Sequence, residues 1–530
     1  KTLLQTHPHD SICGCSVDDV HSEMVTRFKK VLAAGKSVAA DELDKFMSVV
    51  NTASVGTDKV ITVFNSNGFV SSEAACVNID FPENTDVTPD MLAVYDGDKA
   101  LPIDVEDLGV VFDYILPKDK FRIPFHTRRF RITFNAAGVP ALGYKSFAVK
   151  TDGAKAESGI NVYKRGMSND RVRVKFQNDG SLTVIDRKNG EEVTTGIMVD
   201  TGDVGDEYIY RQSPDGVTVS TEGTRAKIEL VHSSAASATF KVTHNMTIPS
   251  GVDRKEGKRT GSCEMVIENY FTLRCGADRL DVRTVIHNNA ENHRVVMLTK
   301  NDIKTDVVLA EGQFVERPIK PWDGWRNPTK PGKMTTFFGL EDDRRGILIA
   351  GRGLCEYEVL HDGSNTMSLT LHRGVDQLGD WGYFPTPDAQ CKGTLTVEYS
   401  FIPFVSKKSD RERAINEAYS FAAYEPTAIC APAHEGTKAA TDSILGVSGS
   451  GFVVSAVKMG ENSDNVILRV YNPNAYDTKM KIDIRGKFKS VYNVNLAEER
   501  QSKVIVRNGV CNLSVPHKKI ITLELVPDKK

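Results

Sequence analysis

The chain has 530 residues, enough for several domains because one domain usually takes about 150. Its 67 Lys and Arg against 70 Asp and Glu leave a formal net charge of −3, and no segment concentrates enough basic residues to follow a phosphate backbone, so no nucleic-acid partner is expected. The 41 Gly and 21 Pro are an ordinary content, which excludes low-complexity and collagen-like chains.

Membrane and disulfide signals are weak along the sequence. The most apolar runs, such as 452–457, end after about six residues, whereas a transmembrane helix needs about 18, so no membrane association is expected. Nine cysteines are scattered from Cys13 to Cys511 without the spacing of a disulfide framework, which predicts a reducing, cytoplasmic location. The chain starts with Lys1 rather than Met, so we expect the natural N-terminus to lie upstream.

Helical periodicity is confined to the start of the chain and one later segment. Ser16 with Asp19 predicts a capping box, and Gly35 predicts the end of the first helix. A second short helix is predicted over 41–50 and a third over 409–423. The apolar residues of the first helix recur at three- and four-residue steps: Val17, Val20, Met24, Phe28, Val31 and Leu32.

Between these helices the sequence predicts β-strands. Residues 59–150 contain short β-runs separated by turn signals such as Asn67-Gly68, a length typical of one β-sandwich. From 159 to 405 the pattern is denser, so one large antiparallel sandwich is expected. Residues 425–441 predict an extended connection to a final β-module over 451–526. The predicted strands include 60–64, 69–74, 129–134, 171–176 and 181–186.

Together these elements predict a mainly β fold, in which a short helical-bundle remnant precedes several antiparallel β-sandwich domains. No alternating βα pattern of the kind that builds a parallel sheet is visible. The predicted domains are a helical remnant with a site loop over 1–55, a small β-sandwich over 56–155, a large one over 156–425, and a linker with a C-terminal β-sandwich over 426–530.

The densest chemistry lies in residues 7–16 (HPHDSICGCS), a loop that leads into the first helix. The imidazole of His9 and the carboxylate of Asp10 are of the types that bind zinc at about 2.0–2.2 Å. Alternatively, both side chains only satisfy backbone groups near the helix start. A structural zinc site at Cys13 and Cys15 is a third interpretation, although C-x-C is shorter than the usual spacing.

Residues 9–24 (HDSICGCSVDDVHSEM) resemble the segment of bacterial family 38 α-mannosidases where the last active-site loop enters the helical domain. The resemblance continues over nearly the whole chain and implies a galactose-mutarotase-like supersandwich at about 158–408 with a smaller sandwich on either side. Segments similar to that family's β-region follow in the same order: 173–176, 179–183, 203–208, 279–284 and 315–318.

The resemblance also implies a metal site. In the family a zinc ion is held by the His and Asp of an H-x-D motif, by the nucleophilic Asp and by the His of a His-Asp pair. By this resemblance His9 is a ligand of Zn²⁺, and Asp10 contacts substrate hydroxyls. Zinc bound to two adjacent mannose hydroxyls favours distortion of the ring toward an oxocarbenium-like transition state.

Two further residues are assigned to substrate binding by resemblance, Tyr208 and Arg373. In the alternative interpretation Tyr208 packs on the core with its hydroxyl at the rim, and Arg373 pairs with a nearby carboxylate. The segments 322–325 and 381–383 contain all three tryptophans, which either stack on sugar faces or belong to the core. Cys13 and Cys15 are interpreted as buried small hydrophobes rather than nucleophiles.

The sequence departs from the family in one respect. None of the 12 histidines is followed two residues later by Asp, so this chain has no H-x-D motif. In the family that motif, the nucleophile and the general acid lie on an α/β domain, which we expect upstream. We therefore assign no catalytic residue within the chain. Retaining hydrolysis needs two carboxyl groups about 5–5.5 Å apart, both expected in the missing N-terminal catalytic domain.

The resemblance thus implies a retaining, exo-acting, zinc-assisted α-mannosidase, of which this chain is the C-terminal part. Its expected substrate is a mannose-containing oligosaccharide or glycoside. One alternative is a hydrolase of mannosylglycerate or its phosphorylated form, and another is a non-catalytic carbohydrate-binding or assembly module. A nearly neutral surface and two sandwich ends are compatible with a homodimer.

Overall fold

The structure is a computed structural model that describes residues 1–117, 119–312, 316–320, 331–379, 381–382, 384–423 and 426–528. Strands dominate it, and its antiparallel sheets confirm the predicted mainly β fold. Among the described residues, no helix combines the length and the apolar character that a membrane span requires.

The chain opens with α1 (His9–Cys13) and α2 (Asp18–Met47), and short 3₁₀ helices lie at Leu3–Thr6 and Ala53–Val55. α2 is one continuous helix, so the predicted end at Gly35 and the predicted separate helix over 41–50 are wrong. A glycine inside a helix costs only about 1 kcal/mol, and the alanines on both sides of this one are strong helix formers. The helix therefore continues through it.

The start of α2 also differs from the prediction. Val17 occupies the N-cap position, and no side chain caps the helix. Ser16 Oγ instead donates a hydrogen bond to the carbonyl oxygen of Asp10 at 3.0 Å. The Ser16 hydroxyl therefore ties α2 to α1, and the predicted capping box with Asp19 is not formed.

α2 is anchored to the first sandwich at its C-terminal end. Phe46 packs edge-to-face against Tyr144 and Phe64, with ring centroids 5.1 and 6.0 Å apart. Met47 and Val50 are buried in the same cluster. Most of the helix between its two ends is exposed.

The first sandwich has two antiparallel sheets, which meet over a core that includes the fully buried rings of Phe130, Phe134 and Phe147. The predicted strands over 60–64 and 129–134 are confirmed, whereas the run over 69–74 becomes a strand only at Ser71. The strands are β1 (Lys59–Asn65), β2 (Ser71–Pro82), β3 (Ala93–Asp96), β4 (Lys99–Leu101), β5 (Ile103–Ile115), β6 (Ile123–Val139) and β7 (Gly143–Lys150).

Within the described part of the chain, the large sandwich consists of a ten-stranded and a nine-stranded sheet, and residues 251–253 and 258–260 form a separate two-stranded sheet beside them. The strands of this region are β8 (Asn161–Tyr163), β9 (Gly166–Ser168), β10 (Val172–Phe176), β11 (Leu182–Asp186), β12 (Glu192–Gly202), β13 (Thr218–Ser220), β14 (Lys227–Ser233), β15 (Ser237–Ile248), β16 (Gly251–Asp253), β17 (Lys258–Thr260), β18 (Cys263–Arg274), β19 (Leu280–Asn288), β20 (His293–Lys300), β21 (Val307–Ala310), β22 (Glu316–Pro318), β23 (Gly332–Lys333), β24 (Phe337–Glu341), β25 (Arg345–Arg352), β26 (Glu356–Val359), β27 (Met367–Gly374) and β28 (Gly393–Val405). β10 alternates between buried and exposed residues, as the sequence over 171–176 predicts.

A buried ion-pair network joins the first sandwich to the large one. Arg279 donates to both carboxylate oxygens of Glu73 on β2, at 2.8 and 2.6 Å, and to Asp281 on β19 at 2.9 Å. It also donates to Glu417 at 2.8 Å, on α3 (Lys408–Ala423), the helix predicted over 409–423. Because these groups are largely buried, the network fixes how the two sandwiches meet.

The final β-module forms a third sandwich of two sheets around a core that includes Leu468 and Leu523. Before it, β29 (Thr427–Pro432) lies in the segment predicted as an extended connection, and β30 (Thr441–Ser443) begins at the last residue of that segment. These two strands pair with β1 and β7 and belong to the first sandwich. The strands of the third sandwich are β31 (Val447–Gly449), β32 (Val453–Met459), β33 (Val466–Tyr471), β34 (Thr478–Asp483), β35 (Phe488–Val494), β36 (Arg500–Lys503), β37 (Val506–Arg507), β38 (Val510–Val515) and β39 (Ile520–Pro527).

Candidate functional site

His9 and Asp10 form the first turn of α1, immediately after Pro8 at the N-cap. His9 Nε2 lies 3.1 Å from Asp10 Oδ1, and the two side chains are 93% and 57% exposed. The two side chains are therefore accessible, and together they offer one nitrogen and one oxygen donor to a ligand outside the chain. The alternative in which they only satisfy backbone groups is not supported by this geometry.

His7 does not share the position of His9. His7 ends a 3₁₀ turn with φ −97° and ψ −2°, whereas His9 begins the helix α1. The two imidazoles therefore belong to different local structures, which makes His7 a useful control for His9.

Tyr208 of the large sandwich lies against the N-terminal segment. Its hydroxyl interacts with the Cys15 thiol, and partial burial together with this thiol raises the pKa of Tyr208. Burial and the neighbouring Cys13 thiol raise the pKa of Cys15 to about 11. Asp10 is close enough to contribute electrostatically to both shifts. The structure thus brings Tyr208 and Asp10 together across nearly two hundred residues of sequence.

The cysteines beside the site differ in burial. Cys15 is buried, but Cys13 is exposed because it ends the one-turn helix α1 on its solvent side, so its predicted burial is wrong. Their sulfur atoms lie 3.1 Å apart. Gly14 between them adopts a left-handed conformation with φ +79°, which reverses the chain between the two thiols.

The loop that carries Tyr208 is a rigid turn. Asp203 Oδ1 accepts hydrogen bonds from the amides of Gly205 and Arg211 at 2.7 and 3.1 Å. Asp206 Oδ1 accepts from the Tyr208 amide at 2.8 Å. A Cβ at Gly205 would lie 1.9 Å from the carbonyl oxygen of Ile209, so only glycine fits. The Asp-x-Gly-Asp pattern of this turn is the sequence signal that predicts it.

Arg373 at the end of β27 holds the same turn. Its Nε donates to Asp203 Oδ2 at 2.7 Å, and its Nη2 donates to the carbonyl oxygen of Asp206. The Arg373 side chain is 16% exposed and that of Asp203 is fully buried. Burial raises the pKa of Asp203, and the guanidinium opposes this rise. The predicted carboxylate pairing is thus formed, and the contact of Arg373 with substrate stays a prediction.

The start of α2 docks on the large sandwich next to this turn. The Asp388 amide donates to Asp18 Oδ2 at 3.0 Å, and His21 Nε2 lies 3.1 Å from the carbonyl oxygen of Gly14. Glu207 lies among these groups, and burial raises its pKa. These contacts fix α1 relative to Tyr208. The contact between Asp18 and Asp388 joins segments 370 residues apart, which local sequence patterns do not reveal.

Further aromatic side chains lie next to Tyr208. The Trp381 ring lies 6.4 Å from those of Tyr208 and Phe384, in edge-to-face geometry, and is 57% exposed. This exposure excludes the interpretation of Trp381 as a core residue. Residues 322–325 and Tyr383 lie outside the described residues, so the predicted role of those aromatics stays untested.

Zinc ligands are incomplete in the described part of the chain, where no group of three or more His, Cys, Asp and Glu side chains is arranged to hold a metal ion. His9 and Asp10 supply one nitrogen and one oxygen donor. Zinc sites take four such ligands, so this pair fits part of a zinc shell that donors from elsewhere would complete.

Three family models of glycosyl hydrolase family 38 match most of the chain. Residues 49–151 match "Glycosyl hydrolases family 38 C-terminal domain 1", residues 167–389 match "Glycosyl hydrolases family 38 C-terminal domain", and residues 451–523 match the "Glycosyl hydrolases family 38 C-terminal beta sandwich domain". A "Putative mannosylglycerate hydrolase" of Halalkalibacterium halodurans is 30% identical over 99% of this chain and 62% of its own length.

Two solved structures are similar in fold and sequence. An α-mannosidase from Enterococcus faecalis V583 superimposes with a TM-score of 0.88 and 28% identity, over 99% of this chain and 62% of its own. A protein in the glycosyl hydrolase family 38 from Enterococcus faecalis superimposes with a TM-score of 0.84 and 26% sequence identity, over 99% of this chain and 65% of its own. The chain therefore spans about three fifths of the length of these relatives. It belongs to glycoside hydrolase family 38, whose C-terminal domains it contains.

Proposed function

We propose that the chain contributes one wall of the active site of a retaining, exo-acting α-mannosidase whose catalytic carboxylates lie in an N-terminal domain. The observation that carries the proposal is the exposed His9–Asp10 pair, held beside Tyr208 by contacts from two separate segments of the large sandwich. The relatives are longer than this chain, which leaves room for the catalytic domain.

The residues of the pair have different tasks in this proposal. His9 would hold a zinc ion together with donors from the N-terminal domain, and that ion would supply Lewis-acid polarisation of substrate hydroxyls. Asp10 accepts a hydrogen bond from a sugar hydroxyl, and a charged acceptor makes that bond about twice as strong as a neutral one. Tyr208 lines the same wall with an exposed phenol. The nucleophile and the acid/base come from the N-terminal domain.

A mannosylglycerate hydrolase is the second candidate, favoured by the name of the Halalkalibacterium relative. A glycerate carboxylate requires a cationic partner on the acceptor side. Arg373 is bound by Asp203 and Asp206, and Arg254 donates to the carbonyl oxygens of Val204 and Gly205 at 2.9 Å. Both guanidiniums are thus engaged within the chain, so the α-mannosidase remains the first proposal.

Activity measurements on two proteins test the proposal. The 530-residue chain should not hydrolyse aryl α-mannosides even with added zinc, because two donors hold the metal weakly and the carboxylate pair is absent. The product extended upstream in its own gene should hydrolyse aryl α-mannosides, and it should do so faster than it hydrolyses mannosylglycerate. Zinc-dependent turnover by the 530-residue chain would refute the assignment of the chemistry to another domain.

The non-catalytic alternative has a separate readout. A carbohydrate-binding module would bind mannose in the 530-residue chain without zinc, as isothermal calorimetry would show. If the extended product also failed to hydrolyse either substrate, a binding module would replace the hydrolase as the conclusion.

A further inference from the structure

A cavity, here called the groove, lies on the outer face of the ten-stranded sheet. Met198 on β12 and Met297 on β20 belong to the core, so the residues next to them in each strand point away from it. The groove has a volume of about 720 Å³, which is within the range of ligand sites. Its lining includes Val199, Arg211, Gln212, Val296, Leu298 and Glu358.

The strand register explains the floor of the groove. Val199 pairs with Val296 across β12 and β20, and Leu298 pairs with Ser368 across β20 and β27. Glu358 of β26 pairs in turn with Ser368. Residues directly opposite each other in antiparallel strands share a face. The floor is therefore an aliphatic strip that ends at one hydroxyl and one carboxylate.

One wall of the groove is the segment that follows Tyr208. Ile209, the next residue, lines the groove. Tyr210 is held in place, because its hydroxyl lies 3.0 Å from Thr201 Oγ1 and its ring lies 4.4 Å from the Arg294 guanidinium. The turn that carries Tyr208 thus continues directly into the groove, so the groove and the candidate site are adjacent.

The rim of the groove offers hydrogen-bonding groups that the chain does not use. Arg211 and Gln212 are exposed, and no hydrogen bond or ion pair with another described residue engages their side chains. The Glu358 carboxylate lies 3.4 Å from Arg294 Nη1, beyond the usual hydrogen-bond range of about 2.7–3.2 Å. A guanidinium, an amide and a carboxylate can therefore donate to and accept from a ligand.

The charges at the groove balance. Arg294 lies 3.4 Å from both Glu356 and Glu358, and Arg211 is the second cation, so two guanidiniums face two carboxylates. No surplus of charge selects an ion. A neutral sugar chain presents apolar C–H groups and many hydroxyls, which match an aliphatic floor with a polar rim.

We propose that the groove binds the sugar residues that follow the terminal mannose in a neutral oligosaccharide substrate. This inference rests on the proposed hydrolase and names its preferred substrate class, a mannoside of several sugars rather than one with a small aglycone. Contacts in the groove lie away from the reacting bond, where binding energy serves to position the scissile sugar.

The dependence of kcat/KM on chain length tests the proposal in the upstream-extended product. Linear mannotetraoses with α-1,2, α-1,3 or α-1,6 linkages are compared with mannobioses of the same linkage. For at least one linkage the tetraose should be the better substrate by about tenfold. Thr218→Trp, which fills the groove from β13, and Gln212→Ala should each abolish this advantage. The matched controls Thr396→Trp and Gln501→Ala, at exposed strand positions elsewhere, should retain it.

Calorimetric titration of the 530-residue chain with mannotetraose separates the groove from the hydrolase. The chain should bind the tetraose, and Thr218→Trp should weaken binding by about tenfold. Binding by the chain without hydrolysis of any mannoside by the extended product would refute the hydrolase and keep the groove as a sugar site.

Three results would overturn the proposal. One is the absence of tetraose binding together with equal kcat/KM for both chain lengths. Another is binding by the 530-residue chain with equal kcat/KM in the extended product, because the N-terminal domain would then cover the groove. The third is binding of glycerate in place of the tetraose, which would make the groove an anion site.

Discussion

Replacing Arg373 by Met should loosen the turn that carries Tyr208. The substitution removes the 2.7 Å bond to Asp203 and the bond to the Asp206 carbonyl, and it leaves a fully buried carboxylate without its cation. Breaking a buried ion pair costs about 3–5 kcal/mol. Because Asp203 keeps two amide donors and Arg373 is slightly exposed, we expect about 3 kcal/mol, at the lower end of that range.

Hydrogen exchange of the Gly205 and Arg211 amides, both bonded to Asp203, measures this loss. A loss of about 3 kcal/mol accelerates their exchange roughly 100-fold. Burial already raises the pKa of Asp203, and losing Arg373 raises it further. A buried carboxyl with a raised pKa is tolerated while it is protonated and destabilises the fold once it is ionised. The loss of stability caused by Arg373→Met should therefore be larger at pH 8 than at pH 5.

Two further variants decide what Arg373 does. Arg485→Met breaks an exposed pair with Asp483 and should leave the exchange unchanged. Arg373→Met/Asp203→Asn removes the buried charge and should restore slow exchange. If KM of the complete enzyme recovers as well, Arg373 is a positioning residue; if it stays raised, Arg373 contacts substrate. Unchanged exchange in Arg373→Met at both pH values would refute the electrostatic reasoning.

Three other substitutions test the fold. Burial lowers the pKa of His244 to about 4, so the native state loses about 3 kcal/mol as pH falls from 6.5 to 4, and His244→Leu should flatten this acid loss in thermal melts. A Cβ at Gly346 would lie 2.1 Å from the Phe404 ring, so Gly346→Ala should destabilise by about 1–3 kcal/mol, measured by calorimetry. Gly35→Ala meets no atom within 4 Å and should stabilise α2 by about 0.5–1 kcal/mol, visible as slower amide exchange; faster exchange would contradict the continuous helix.

Local patterns of the sequence predict most of the secondary structure. The alternation over 171–176 and the helix over 409–423 are found as expected, because each depends on a single periodicity and nearby turn residues. The predicted end of the first helix at Gly35 is wrong, because a glycine can either end a helix or lie inside one at a small cost in stability. Only its actual backbone conformation distinguishes these roles.

The sequence predicts which residues belong to the candidate site, but it does not predict the contacts that bring them together. The assignment of His9 and Asp10 to the site comes from their resemblance to the family 38 segment, because an acidic residue in the first turn of a helix is common. The contacts of Tyr208 with Cys15 and of Asp18 with the Asp388 amide join distant segments, so no local spacing reveals them. The pairing of β29 with β1 is equally distant, and it places a predicted connection within the first sandwich.

The central claim, that His9 is a zinc ligand of a site shared with the N-terminal domain, is tested by zinc content measured together with turnover in the upstream-extended enzyme. His9→Ala should lose both metal and activity, because it removes a ligand. Asp10→Asn should lose activity but keep most of the zinc. His7→Ala, on the neighbouring 3₁₀ turn, should change neither. Zinc lost from His7→Ala but retained with full activity in His9→Ala would contradict the account.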